Sequence, residues 1–173
     1  HYAAQQARRG FRLNINCVIS PENIEDVPAV FEFAVQNSVR LSVSPELDEN
    51  GLPVPGLLEP RTRERYNRLL DRLLAHKSSG NTLVDIRPFL RHLRDFSPMR
   101  CYPDIAPRVY PDGIVPHPCP ARADSLLNLL EAGSWNNLQK MTDGGSLASC
   151  ERPCFLPCYL ETSLSVRHPF ALL

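Results

Sequence analysis

The first hundred residues alternate between strand-like and helix-like patterns of apolar side chains. Residues 11–19 begin with strict alternation of apolar and polar positions and end in a continuous apolar run, which is typical of a buried parallel strand. Residues 39–44 form a second run of this kind. Between the two, apolar residues recur at helical spacing from about Glu22 to Asn37, and Pro28 favours a regular helix that begins near it. The pattern therefore predicts a β-α-β unit with a right-handed crossover.

Further along the chain, helical patterns predict helices over residues 61–77, 87–96 and 124–132. For the last of these, Asp124 or Ser125 is the expected N-terminal cap, and Gly133 is the expected stop. The segment 45–60 holds four prolines and two glycines, which predicts a loop. It follows a predicted parallel strand, and α/β proteins build their sites on such loops.

Composition excludes several classes of partner. Nineteen basic and nineteen acidic residues cancel, and no run of Lys or Arg stands out, so we expect no binding to nucleic acid. The apolar runs are all far shorter than the ~20 residues needed to cross a bilayer, so we expect no membrane partner. The chain begins at His1 and opens directly into a helical pattern, so we expect it to be a piece of a longer polypeptide.

Five of the six cysteines lie after residue 100, and this clustering favours a metal site over a disulfide framework. Cys101 and Cys119 are separated by 17 residues, with a Tyr-Pro-Asp-Gly turn sequence at 110–113. Two short strands folding back at this turn would bring both thiols to one site.

The other three cysteines, Cys150, Cys154 and Cys158, follow at regular intervals of three intervening residues. Because Pro153 and Pro157 oppose a helix, the segment is predicted to be a loop that wraps a metal centre. A four-iron cluster needs about four thiolates, and five are available. The preferred set is Cys101, Cys119, Cys150 and Cys158, with Cys154 as the most plausible substitute.

The alternative is structural zinc in a non-catalytic binding module, although the spacing lacks the paired Cys-x2-Cys units of zinc ribbons. Other residues near the cysteines have ordinary interpretations. Cys17 fits a small buried side chain in a strand, and Trp135 fits the core of the small domain. His117 is either a hydrogen-bond donor to a metal-bound sulfur or a solvated side chain beside the turn.

Two segments carry a resemblance to a known superfamily. Residues 15–25, with the sequence Ile-Asn-Cys-Val-Ile-Ser-Pro-Glu-Asn-Ile-Glu, are similar to a late barrel strand and its following turn in radical S-adenosylmethionine enzymes. Cys101 to Cys119, with Pro-Asp-Gly at 111–113, resembles the hairpin that opens the SPASM and Twitch auxiliary-cluster domains of that superfamily. The order of elements along essentially the whole chain resembles the C-terminal part of such an enzyme.

The resemblance implies an α/β fold in two parts. Residues 1–100 would form the later strands and helices of a partial (β/α) TIM-like barrel. Residues 101–173 would form a small cysteine-rich α+β domain with an auxiliary [4Fe-4S] cluster held by Cys101, Cys119, Cys150, Cys154 and Cys158. In the superfamily such a cluster lies near the substrate as an electron conduit or a binding point.

The same resemblance implies a pocket for S-adenosylmethionine, with Asn14, Asn16 and Asn23 as candidate contacts, although Asn23 also fits a helix cap. It further implies a small-molecule or peptide substrate, a reductant protein such as a ferredoxin or flavodoxin, and a cytoplasmic location. One departure is clear, because the Cys-x3-Cys-x2-Cys loop that binds the S-adenosylmethionine-cleaving cluster does not occur in this sequence. We therefore expect this chain alone to be unable to cleave S-adenosylmethionine.

Overall fold

A computed structural model of the protein describes residues 13–77, 82–97, 100–141 and 155–167. Four strands and seven α-helices lie in these ranges, together with a 3-10 turn at Pro103–Ile105. The elements in chain order are β1 (Asn14–Ile19), α1 (Val27–Gln36), β2 (Arg40–Pro45), α2 (Pro55–Leu58), α3 (Pro60–His76), α4 (Arg87–Asp95), β3 (Ile114–His117), β4 (Ser125–Asn128), α5 (Leu129–Ala132), α6 (Trp135–Lys140) and α7 (Pro157–Arg167).

The β1 and β2 strands are parallel neighbours joined by α1, as the sequence pattern predicts. Their register runs from Asn14 beside Arg40 to Ile19 beside Pro45. The helix begins at Val27 and holds Pro28 in its first turn, where the missing N–H has no helical partner to lose. An isolated parallel bridge between Leu41 and Leu83 extends the sheet on the far side of β2. This portion of the chain thus follows a parallel α/β plan.

The sheet has one apolar and one polar face because side chains alternate along each strand. The apolar face contributes Ile19, Leu41 and Val43 to the main core, which α1, α3 and α4 cover with residues including Phe31, Tyr66, Leu70, Leu73, Phe89 and Leu93. On the opposite face, Asn14 and Asn16 of β1 are exposed. Ion pairs on the outside of α3 include Arg72 with Glu32 of α1, at 2.7 Å.

The α7 helix belongs to two cores at once. Leu160 and Leu164 are buried in the main core, and Phe155, just before the helix, joins them there. Tyr159 lies instead in a smaller buried cluster with two cysteines. The C-terminal helix therefore ties the cysteine-rich region to the β-α-β region. Within the described residues, no helix has both the length and the apolar character needed to cross a membrane.

The prediction of a helix over 124–132 is wrong in its first half. Residues Ser125–Asn128 form β4, which pairs antiparallel with β3, and only Leu129–Ala132 are helical. The cap is Asn128, whose side chain accepts hydrogen bonds from the N–H groups of Leu130 and Glu131. Pairing with the preceding strand overrides the local helical pattern. Gly133 ends the helix with φ +71°, as predicted.

The predicted pairing of two strands across the turn at 110–113 is also wrong. The turn forms, because the N–H of Gly113 donates to the carbonyl of Tyr110 at 2.9 Å. However, β3 pairs with β4, and the segment from Cys101 to Tyr110 holds a 3-10 turn in place of a strand. Prolines at 103 and 107 remove backbone donors that a ladder would need.

The expectation that Cys158 lies in a loop is contradicted. The α7 helix begins at Pro157, so Cys158 is in its first turn. A proline at the first helical position is tolerated because its missing N–H would have had no helical partner. Pro157 is therefore the residue at which α7 begins.

Candidate thiolate site

Cys101 and Cys119 lie together in a buried cluster with Tyr159. Cys101 follows α4, Cys119 follows β3 and Tyr159 lies on α7, so three separate stretches of chain build the cluster. The two cysteines are 7% and 9% exposed. Ala106, Ala121 and Leu156 pack around them and keep most water away. Two soft sulfur donors thus lie in an apolar setting.

The backbone turns sharply at Cys119. Its carbonyl accepts hydrogen bonds from the N–H groups of Arg122 at 3.1 Å and Ala123 at 2.7 Å. This turn follows directly after β3, so the hairpin of β3 and β4 determines where Cys119 lies. No disulfide is formed among the cysteines of the described ranges.

Cys101 is contacted by a buried hydroxyl from α7. The Oγ of Ser163 donates to the Cys101 sulfur at 3.7 Å, and it accepts a hydrogen bond from the N–H of Tyr102 at 2.9 Å. Ser163 is completely buried. The contact connects α7 to the start of the cysteine-rich region through polar groups as well as through Tyr159.

Cys158 is exposed and lies one residue before Tyr159 on α7. Burial is the largest of the effects that raise the pKa of Tyr159 to about 12. Negative charge on Cys158 and Cys119 contributes to this rise, whereas the positive charge of Arg108 lowers the pKa. Tyr159 therefore interacts electrostatically with both cysteines.

The structure brings together part of the predicted ligand set. Cys101 and Cys119 share the buried cluster, Cys158 is exposed and is not part of it, and Cys150 and Cys154 lie outside the described residues. Within the described residues, no group of three or more His, Cys, Asp or Glu side chains could hold a metal ion. The donor chemistry of the two buried thiols fits a thiophilic metal. The complete ligand set stays a prediction.

His117 has an acidic neighbour that the sequence did not indicate. Its Nε2 lies 3.7 Å from Oδ1 of Asp104, and both side chains are largely buried. Asp104 belongs to the 3-10 turn that follows Cys101, and His117 ends β3 just before Cys119. The pair thus connects the two cysteine-bearing segments to each other.

The three candidate asparagines separate into two groups. Asn14 and Asn16 lie on the exposed polar face of β1, where the Oδ1 of Asn16 accepts from the Ser42 hydroxyl at 3.2 Å. Asn23 instead closes the turn after β1, since its Nδ2 donates to the Val18 carbonyl at 2.8 Å and its Oδ1 accepts from Ser20 N–H at 2.9 Å. The helix that follows begins after Asp26, so Asn23 does not cap it.

A buried acidic group was missed. Asp85 is 2% exposed, and its carboxylate accepts from the N–H of Val43 at 2.8 Å. Burial, and secondarily Glu161, raises the pKa of Asp85 to about 7, although the bond from Val43 opposes the rise. Glu161 on α7 accepts from the N–H of Ile86 at 3.1 Å, and burial raises its pKa as well. In the sequence, Asp85 is marked only by the apolar pair Leu83-Val84 before it, which does not indicate its partner.

Comparison with known proteins identifies no family for this chain. Neither a protein-family model, nor a curated protein, nor a solved structure matches the chain. The chemistry of the site therefore has to be argued from its own residues, of which the buried pair Cys101 and Cys119 beside Tyr159 is the most distinctive.

Proposed function

We propose that this chain is part of a radical S-adenosylmethionine enzyme and that its cysteine-rich half holds an auxiliary [4Fe-4S] cluster. The observation that carries the proposal is the burial of Cys101 and Cys119 in one cluster, next to the helix turn that bears Cys158. Sulfur ligands in an apolar setting suit an iron–sulfur centre. Cys150 and Cys154 are the candidates for the remaining ligands. When bound, the cluster supplies one-electron chemistry or a binding point for substrate.

The chain's own residues have defined roles in this proposal. Ala106, Ala121 and Leu156 exclude water from the sulfurs, and Tyr159 of α7 packs against Cys101 and Cys119. Low exposure and hydrogen bonds to sulfur are the protein's means of setting the potential of such a centre. The partner reductant would be a ferredoxin or flavodoxin, and a cytoplasmic location would keep the thiols reduced.

The parallel unit of β1 and β2 supports the barrel part of the proposal. In a complete barrel, the face that carries Asn14 and Asn16 would line the interior, because α1, α3 and α4 cover the other face. These two asparagines would then contact S-adenosylmethionine, while Asn23 would hold the turn at the end of β1. The small-molecule or peptide substrate would bind on this same face.

A structural zinc site is the second candidate, and one observation favours it. Within the part of the chain that the structure describes, the core formed by β3, β4 and α6 has three buried residues, Val115, Leu127 and Leu138. A core this small supplies little stabilisation, and small domains often depend on a bound metal. A zinc ion held by the same thiolates would serve that purpose with no catalysis.

Anaerobic reconstitution of the 173-residue chain with iron and sulfide separates the two candidates. The iron–sulfur proposal predicts a brown protein with about four irons per chain. Replacing Cys119 and Cys158 together by alanine should abolish the colour. Cys17 lies in β1 and packs against the main core, so Cys17→Ala should leave the colour intact. A chain that carries about one zinc as purified and stays colourless after reconstitution would establish the zinc alternative.

The same preparation tests the absence of the radical-generating centre. Incubation with S-adenosylmethionine and dithionite should release no 5′-deoxyadenosine, because the five cysteines suffice for only one closed four-iron site. Release of 5′-deoxyadenosine would instead assign Cys150, Cys154 and Cys158 to the cluster that cleaves S-adenosylmethionine.

A further inference from the structure

Two carboxyl groups meet where α7 docks beside the sheet. The carboxylate of Asp85 is buried and accepts a hydrogen bond from the N–H of Val43 in β2 at 2.8 Å. The carboxylate of Glu161, on α7, accepts from the N–H of Ile86 at 3.1 Å in a partly buried setting. The N–H that Glu161 binds therefore belongs to the residue directly after Asp85, and the charge of Glu161 acts on Asp85.

The charges around this pair of carboxyl groups do not balance. The strand β2 faces the pair with the backbone N–H of Val43, and the end of α3 faces it with Lys77, which also donates to the carbonyl of Leu83. The positive charge of Lys77 acts on both carboxyl groups. When Asp85 and Glu161 are both ionised, two negative charges face this one positive charge. A buried charge without a partner is costly, so any motion that lets water reach it is favoured.

The α7 helix is the element whose movement would hydrate this charge. Leu160 holds the helix in the main core, and Tyr159, one residue earlier, packs against Cys101 and Cys119. Glu161 follows Leu160 directly, so the carboxylate and the ring that covers the cysteines lie within one helical turn. A movement of α7 that exposes Glu161 to water therefore also lifts Tyr159 away from the cysteines.

We propose that Asp85 and Glu161 form a pH-sensitive latch for α7, in which ionisation of Asp85 beside Glu161 loosens the helix and uncovers Cys101 and Cys119. Burial, and secondarily Glu161, raises the pKa of Asp85 from 3.8 to about 7. Protonated Asp85 therefore stabilises the docked helix fully near pH 4, and this contribution is lost as the pH rises through 7. The latch involves no bound metal, so it does not rest on the proposed function.

Hydrogen–deuterium exchange of the metal-free 173-residue chain, measured by mass spectrometry at pH 5 and pH 8, tests the latch. Wild type and Asp85→Asn are compared at the same pH, which cancels the intrinsic pH dependence of exchange. For the amides of α7, the ratio of the wild-type rate to the variant rate should rise about tenfold from pH 5 to pH 8, as expected if opening lowers the pKa of Asp85 by about one unit. Because the opening is local, α7 should exchange before α1 in both proteins. A constant ratio, or exchange of α7 and α1 at one common rate, would overturn the proposal.

A second variant keeps the test decisive if Asp85→Asn does not fold. Glu161→Gln keeps an acceptor for the N–H of Ile86 but removes the charge beside Asp85. At pH 8, α7 should therefore exchange more slowly in Glu161→Gln than in the wild type, although Asp85 is still present. Glu64→Gln is the matched control, since the Glu64 side chain is 70% exposed on α3 and pairs with Arg68, and it should exchange like the wild type. If Glu161→Gln also exchanges like the wild type, the two carboxyl groups do not act together and there is no latch.

Discussion

The carboxylate of Asp85 completes the edge of β2 by accepting a hydrogen bond from the N–H of Val43 at 2.8 Å. Backbone pairing between these two segments ends just before this point, where the N–H of Val84 donates to the carbonyl of Leu41 at 2.9 Å. A side-chain oxygen therefore takes the position that the next backbone carbonyl would have occupied. Asp85 gives the sheet its last bond but places an ionisable group in the interior.

Replacing Asp85 by asparagine should change how stability depends on pH. The pKa of Asp85 is about 7 in the folded chain and near 3.8 in the unfolded one, so folding favours the protonated form. Its stabilising contribution is complete below pH 4 and is lost as the pH rises to 7. Asparagine keeps an acceptor for Val43 but cannot ionise. From pH 4 to pH 8, the wild type should therefore lose a few kcal/mol relative to Asp85→Asn.

Urea denaturation at several pH values measures this difference. Glu161, whose pKa is also raised by burial, is present in both proteins, so it cancels to first order. Parallel profiles of the two proteins would mean that Asp85 is already ionised near pH 4 in the folded state.

Two glycines with positive φ provide a matched test of the β3–β4 hairpin. A Cβ at Gly113 (φ +83°) would lie 2.6 Å from Cγ of Leu130 and 2.9 Å from Oδ1 of Asn128, whereas a Cβ at Gly133 (φ +71°) would meet nothing within 4 Å. The Asn128 oxygen cannot move without losing its capping bonds. We expect Gly133→Ala to cost about 1 kcal/mol from its backbone conformation, and Gly113→Ala about 2–4 kcal/mol. Equal losses in thermal or urea unfolding would contradict the steric argument.

The hydroxyl of Tyr66 can be removed at little cost. Tyr66 is fully buried in the main core, and its hydroxyl has no hydrogen-bond partner within the described part of the chain. A buried hydroxyl without a partner is destabilising, so Tyr66→Phe should be neutral or stabilise the fold by about 1 kcal/mol. Tyr66→Ala should instead cost about 3–5 kcal/mol, because it also removes the ring that stacks on Phe96. A large loss in Tyr66→Phe, measured by urea denaturation, would reveal an essential bond at that hydroxyl.

The parallel unit could be predicted from sequence because its determinants are local. Alternating apolar residues specify β1, and a crossover that holds a helix cannot be a hairpin. The strand β4 could not be predicted, since its pairing partner β3 lies eight or more residues away and only the hairpin decides between helix and strand. The role of Asp85 was equally hidden, because its bond to Val43 spans 42 residues.

For the candidate site, too, part of the structure could be predicted from the sequence and part could not. The sequence predicts that Cys101 and Cys119 meet through two strands paired across the turn at 110–113; both lie in the same buried cluster, although those strands do not pair. The helix that supplies Tyr159 and Ser163 was not predicted, because Pro157 was interpreted as opposing a helix rather than starting one. The contact of Ser163 with Cys101 depends on two segments 62 residues apart, so no local pattern indicates it.

The packing of Leu160 should control access to the cysteines. Leu160 is 1% exposed in the main core, and the preceding residue on α7, Tyr159, covers Cys101 and Cys119. Leu160→Ala removes buried contacts and leaves a cavity, so we expect a loss of about 2–5 kcal/mol in urea denaturation. Because weaker docking of α7 uncovers the cluster more often, a short pulse of alkylating reagent on the metal-free chain should modify Cys119 faster in this variant.

Val166→Ala is the matched control, since Val166 lies on the same helix and is 59% exposed. This variant should change neither the stability nor the rate of alkylation by a measurable amount. If Leu160→Ala lowers stability while Cys119 reacts at the wild-type rate, then α7 does not shield the cysteines, and Tyr159 does not have the role assigned to it.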